Sequence, residues 1–379
     1  MNHERHERER MERDRLELER MRRERVENEA VAGRGAAQGD AGRGAAEGDA
    51  GRGAAEGDAG RGAAEGEPSA FEGKASGVSP SEPVSSHVPV LADEIAFLLH
   101  PRRGGWVVDG TVGLGGHAER LLEGADDTRL LGIDRDPEAL ARAARRLARF
   151  GARVVLEHGS FRHLASLAAR AGVEHAAAVL LDLGLSSYQL DESGRGFSFQ
   201  GEEPLDMRFD PSTGATAAEL LARLSAEEIT SLLAELGEER HARRIARALV
   251  EQRRRSPLRT AADLVSVVKR AVPRAAWSRR THVATRTFQA VRMAVNDEPG
   301  ALAEALPQAA ALLAVGGRLG VISFHSGEDR VVKHAFRGLA GRGFVELEPS
   351  PVTAGREETT YNPRARSAKL RVLARQEAA

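Results

Sequence analysis

The chain has no cysteine in its 379 residues. That excludes disulfides and thiolate metal sites, and it suits a reducing, cytoplasmic setting. No metal site is expected. No apolar run approaches membrane-spanning length, and the N-terminus is saturated with charge where a secretory signal would be apolar. A membrane partner is therefore not expected. Net charge is also nearly absent, at −1, which at first argues against a nucleic-acid partner. The average conceals a division. Residues 1–86 carry 14 basic and 19 acidic residues, leaving 41 basic against 37 acidic in residues 87–379.

What the first 86 residues do contain is repetitive. Residues 1–30 are mostly Glu and Arg with an occasional Leu or Met, and residues 33–68 are four tandem glycine-rich nine-residue units. No apolar side chain larger than alanine recurs in those units, so burial cannot offset the entropy of ordering them. Residues 1–86 are read as a disordered tail and solvated spacer.

Within the remainder, Trp106-Val107-Val108-Asp109-Gly110-Thr111-Val112-Gly113-Leu114-Gly115-Gly116-His117 is the most informative stretch. A short apolar run ends in a carboxylate, glycines follow, and apolar residues resume at helical spacing through Leu121 and Leu122. The pattern predicts strand, tight turn and helix, with the helix's first N–H groups open to an anionic or polar ligand. Two adenosine cofactors remain open here. Gly113–Ala118 fits the dinucleotide fingerprint of a nicotinamide-dependent oxidoreductase, and S-adenosyl-L-methionine sites use similar glycines. Either would take a ribose-binding acid at the end of the next strand, and Asp134 stands there.

Strands are predicted at 105–109, 129–134, 153–157 and 177–182, alternating with helices near 115–123, 136–149 and 161–171. Such alternation implies a parallel sheet covered on both faces. Residues 191–215 read as loop and 216–312 as helical, with strands returning at 317–323, 343–348 and 368–374. The expected organisation is a sheet domain in two parts, 87–190 and 313–379, around a helical insertion at 191–312. Asp109, Asp134 and Asp182 end three of the strands, where open α/β sheets bind ligands. One such acid is easily a turn residue; three on one rim indicate a shared ligand.

Longer motifs narrow the choice. Asp109–His117, Gly132–Pro137, His158-Gly159-Ser160-Phe161 and Asp182–Asp191 are followed by Arg195–Phe199, Pro204–Arg208, Gly237–Arg240, Ala284–Arg292, Ile322–Ser326 and Asn362–Ser367. Together these resemble the RsmH (MraW) family from His87 to about Arg375. Tyr188, Val283 and Gly327 depart from its usual residues. The resemblance implies an α/β class I S-adenosyl-L-methionine-dependent methyltransferase, with a Rossmann-like doubly wound sheet and an inserted all-helical subdomain. It implies methylation of the exocyclic N4 of a cytidine in the decoding region of 16S ribosomal RNA. The partner would be that RNA or the small ribosomal subunit; the oligomeric state is left open, a dimer included.

By the same resemblance, Gly115, Gly116 and His117 contact the methionine end of the cofactor, and Asp134 its ribose. Phe161, Asp182 and Gln189 complete the pocket. The amine needs an acceptor to orient it and take its proton, for which Asp182 is the first candidate and His325 the second. Arg240, Arg243, Arg244, Arg247, Arg253, Arg254 and Arg255, joined by Arg279, Arg280, Arg286 and Arg292, read as a phosphate-tracking surface. The competing reading is a solvated face paired with Glu238, Glu239 and Glu251. An oxidoreductase and a non-catalytic ribosome-binding module stand as alternative functions.

Overall fold

Val107 and Val108 are adjacent in sequence and buried on opposite faces of one sheet, and the same alternation recurs at Leu130/Leu131 and Leu180/Leu181. Strands apolar on both sides must be covered on both sides. The computed structural model, which describes residues 88–376 apart from 102, 103 and 200, together with 12, 13, 16, 17 and 20, shows how. The tail expected over 1–86 lies outside the described residues save for those five positions.

Strands β1 (Gly105–Asp109), β2 (Thr128–Asp134), β3 (Val154–His158), β4 (Ala176–Asp182) and β5 (Leu313–Ser323) run parallel. β6 (Phe344–Glu346), β7 (Val352–Thr353) and β8 (Lys369–Arg375) complete a sheet of order β3-β2-β1-β4-β5-β8-β6, with β7 also on β8. β8 is antiparallel to both β5 and β6. The predicted returning strands are thus present, but the last is reversed, because it enters between two strands already joined by a helical crossover. β7 is too short to have been visible as a pattern.

One face is covered by α1 (Ala92–Leu98), α2 (Gly116–Glu123) and α3 (Pro137–Leu147), which bury Ile95, Leu121 and Leu147. The other is covered by α4 (Leu164–Arg170), α11 (Glu298–Leu312) and α12 (Ser326–Leu339), which bury Leu167, Leu306 and Phe336. Helix starts are written locally. Asp136 caps α3 through Glu138 N–H, with Pro137 at the first helical position.

After the short α5 (Ser187–Asp191), the insertion comprises α6 (Ala217–Arg223), α7 (Ala226–Gly237), α8 (Ala242–Arg255), α9 (Ala261–Ala271) and α10 (Thr285–Asn296). Capping boxes open α6, α7 and α9, at Thr216, Ser225 and Thr260. These helices close a core of their own around Leu221, Leu233, Ile245, Leu264 and Val291. The insertion expected over 191–312 ends sooner: α11, its last predicted segment, packs on the sheet instead. Helical periodicity alone could not say which layer α11 would join. A last short helix, α13 (Arg356–Tyr361), leads to a 3₁₀ turn, Pro363–Ser367, before β8. Among the described residues no helix is long and apolar enough to cross a membrane.

Candidate active site

The register aligns the strand ends. Asp109 sits beside Gly132 and Leu180, and Asp182 beside Ile322. A cleft of about 1070 Å³ opens above them, lined by Thr111, Gly113, Gly116, His117, Asp134, Phe161 and Asp182 from the sheet side. Leu236, Arg286 and Phe288 of the insertion line its other wall. Thr111 ties two strand ends together: its Oγ1 accepts from Asp182 N–H at 2.6 Å and donates to Asp109 Oδ1 at 3.4 Å.

The turn after β1 has its glycines for three different reasons. Gly110 lies where a Cβ would meet Leu181 Cδ2 at 2.6 Å and Phe161 Cβ at 3.2 Å, so a side chain there would push on both. Gly113 has φ +50° and donates its N–H to Asp134 Oδ2 at 2.8 Å. Gly115, at φ +81°, is the N-cap of α2 and packs on Leu147 and Ala143. It shapes the turn without lining the cleft, whereas Gly116 does line it.

Asp134 accepts Gly113 N–H on one oxygen and Asp136 N–H, at 2.9 Å, on the other. Each oxygen keeps one lone pair, enough for two ribose hydroxyls. Burial pushes Asp134 up to about 6, against the N–H bonds from Asp136 and Gly113 that lower it. Asp109 is more extreme. Burial pushes it up to about 7, opposed first by the charge of His117 and then by Thr111 N–H, with Asp182 and Asp134 adding to the rise.

His117 is 7% exposed, and both of its ring nitrogens are buried without a hydrogen-bond partner. It does not cap α2. Its Nε2 lies 3.6 Å from Asp182 Oδ2, and a polar group entering the cleft would satisfy it. Asp182 keeps 24% of its side chain exposed to the cleft, and its Oδ1 accepts from Gly184 N–H at 3.2 Å. Gln189 is more committed than a ligand contact requires. Its Oε1 closes the α5 capping box on Ser186 N–H, and its Nε2 donates to Asp136 Oδ2 at 3.2 Å. It lines the wall and holds it. Tyr188, one of the departures noted above, is buried with the Arg142 guanidinium 4.1 Å over its ring.

His325 is the site residue that the structure reassigns. Its Nδ1 accepts from Glu328 N–H at 3.3 Å as the cap of α12. Nε2 then carries the proton and lies 3.0 Å from Glu328 Oε1, so no lone pair is left to take a proton from a substrate. A local His-to-N3 cap is a position effect that strand-end reasoning does not see.

Sequence reasoning also missed a half-buried pair in the cleft wall. Arg292 donates from Nε and Nη2 to the two oxygens of Glu298, at 2.8 and 2.9 Å. Arg292 thus leaves the expected arginine surface, as does Arg253, which donates to Leu221 O and Leu224 O. Glu298 lies in no motif, and nothing in the sequence pointed to it. Of the rest, Arg286 lines the cleft and donates to Glu238 O at 2.8 Å, while the arginines of and beside α8 stay outside. Arg240, Arg243, Arg244, Arg247 and Arg254 are exposed, with no ion pair to a described residue. Of the three glutamates that could have neutralised them, only Glu251 pairs with a surface arginine of α8, Arg255. Glu239 turns to His241 N–H, and Glu238 to Ser326 and Arg330.

A model of the MraW methylase family matches residues 84–376. The chain belongs to the MraW methylase family. It is 47% identical over 304 residues to the ribosomal RNA small subunit methyltransferase H of Geobacter sp. strain M21, covering 76% of this chain and 97% of that one. It is 49% identical over 305 residues to the protein of the same name from Deinococcus radiodurans, covering 80% and 93%. Among solved structures it is similar to an rRNA methylase from Streptococcus thermophilus, with 13% identity and a TM-score of 0.36, covering 79% of this chain and all of that one.

The sheet order, five parallel strands with β8 reversed between β5 and β6, is that of a class I methyltransferase, and S-adenosyl-L-methionine is the cofactor of the methylase family to which the chain belongs. The residues present fit it: a two-acceptor acid at the end of β2 and an unsatisfied buried imidazole, both lining the cleft. The nicotinamide alternative falls with the family assignment. Among the described residues no cluster of His, Asp and Glu could hold a metal ion.

Proposed function

We propose that this protein methylates the exocyclic N4 of a cytidine in the decoding region of 16S ribosomal RNA. The observation that carries the mechanism is Asp182: a carboxylate at the end of β4, pinned on one oxygen by Gly184 N–H and open to the cleft on the other. The relatives named as small-subunit ribosomal RNA methyltransferases support the choice of RNA.

A cytosine amine is a poor nucleophile, since its lone pair is delocalised into the ring. The bound cofactor supplies a methyl group on a positively charged sulfur. The protein's part is to align the nitrogen behind that methyl; such positioning supplies about 7–11 kcal/mol. Asp182 Oδ2 accepts a hydrogen bond from the amine and orients it. Asp182 would take the proton that the amine loses on methylation. His117 Nε2 stands 3.6 Å from the same oxygen. Asp134 would hold the ribose hydroxyls and Phe161 the adenine.

The exposed arginines of α8 track phosphate, and a base in structured RNA is splayed out to reach the cleft. The test has two arms. Ribosomal RNA from cells with and without the protein is mapped for N4-methylcytidine; an unchanged map refutes the substrate. Asp182→Ala is then compared with wild type for cofactor affinity and turnover. Retained affinity with turnover lost by about 10²–10⁴ fits a proton acceptor, and full turnover removes Asp182 from that role.

A further inference from the structure

Among the described residues four large apolar side chains stand exposed: Leu16, Val88, Val315 and Tyr361. Scattered exposed residues of this kind are ordinary. Two of these are not scattered. Val88, 50% exposed, and Tyr361, 53% exposed, both line the cleft, and Asn362 Nδ2 ties them by donating to Val88 O at 3.2 Å. Tyr361 ends α13, and the 3₁₀ turn that follows anchors it: Arg364 hydrogen-bonds Ser187 Oγ and, at 2.9 Å, Asp191. Arg366, in the same turn, is exposed and has no hydrogen bond or ion pair to a described residue.

An aromatic face on a braced turn that lines a cleft, with an unneutralised guanidinium in the turn that follows it, has the elements of a single-stranded nucleic-acid subsite. The ring supplies a stacking surface that any base can use, and the cation meets the phosphate. Extruding one base for chemistry also unstacks its neighbour, which then needs a new surface. We propose that Tyr361 and Val88 form a stacking shelf for one unpaired nucleobase adjacent to the methylated residue, with Arg366 on its phosphate. The shelf is separate from the arginine surface of α8, and it rests on the RNA reading above.

The test uses the full chain, with small ribosomal subunits from cells lacking this protein as methyl acceptor. Tyr361→Ala raises KM for the subunits by roughly five- to a hundredfold, the span of losing one base–aromatic stack. Its kcat and cofactor affinity stay within error of wild type. Tyr361→Phe, which keeps the ring, restores KM. Arg366→Ala lowers the slope of log KM against log salt by about one contact's worth. An unchanged KM in Tyr361→Ala overturns the shelf, and so does a joint fall in cofactor affinity and melting temperature, which would make Tyr361 a structural residue. A wild-type protein inert toward the subunits refutes the RNA reading itself, an outcome distinct from the other two.

Discussion

Replacing Asp109 with asparagine should stabilise the protein at pH 8 while impairing it. Asp109 is fully buried at the end of β1, and burial raises it from an ordinary 3.8 to about 7. Below pH 3.8 the acid is neutral whether the chain is folded or not. Between 3.8 and 7 the unfolded chain ionises while the folded chain holds its proton, so stability falls as pH rises. Above 7 the loss is complete: about three pH units at roughly 1.4 kcal/mol each, or about 4 kcal/mol. Asparagine keeps the Oδ1 that accepts Thr111 N–H at 3.1 Å and never ionises. Urea unfolding of wild type and Asp109→Asn should therefore coincide near pH 4 and separate steadily, the variant gaining up to about 4 kcal/mol by pH 8. Methyl transfer should fall nonetheless, because the charge facing His117 and Asp182 is gone. Parallel stability curves from pH 4 to 8 would refute the argument, since they would mean that the buried acid titrates normally.

Other outcomes follow from the same geometry. Cofactor affinity should weaken about tenfold from pH 8 to pH 5, because Asp134 must be ionised to accept both hydroxyls and titrates near 6; calorimetry on wild type and a pH-flat Asp134→Asn checks it. Gly237→Ala should cost about 1–3 kcal/mol by thermal melting, since a Cβ there meets Arg286 O, a main-chain atom with little room to yield, at 2.6 Å. Asn296→Ala should loosen residues 207–209, whose Phe209 N–H and Met207 O it bonds at 2.9 and 2.7 Å; about 1–3 kcal/mol and faster amide exchange there are expected. The double variant Arg243→Glu, Arg247→Glu should weaken RNA binding and flatten its salt dependence, with cofactor affinity unchanged.

Most of the sheet was legible because its strands are apolar on both faces and each is closed by an acid or a turn. Asp109, Asp134 and Asp182 could be placed on one rim from order alone. What stayed hidden depends on three-dimensional proximity. Nothing local distinguishes α11 from the helices before it; only the sheet's second face, lacking a cover, draws Leu302 and Leu306 down. Arg292 fits the spacing of a surface arginine, yet Glu298, six residues on and past a left-handed turn at Asp297, takes it inward. His325 looked like a reactive group at a strand end, and its next three residues turned it into a helix cap.

β8, the latest of the described strands in chain order, fills an interior slot between β5 and β6. Until it arrives, two neighbours present bare hydrogen-bonding edges, and both apolar layers stay open along that seam. Such edges recruit other chains. Truncation near residue 368 should therefore produce aggregated protein and not a slightly shortened enzyme.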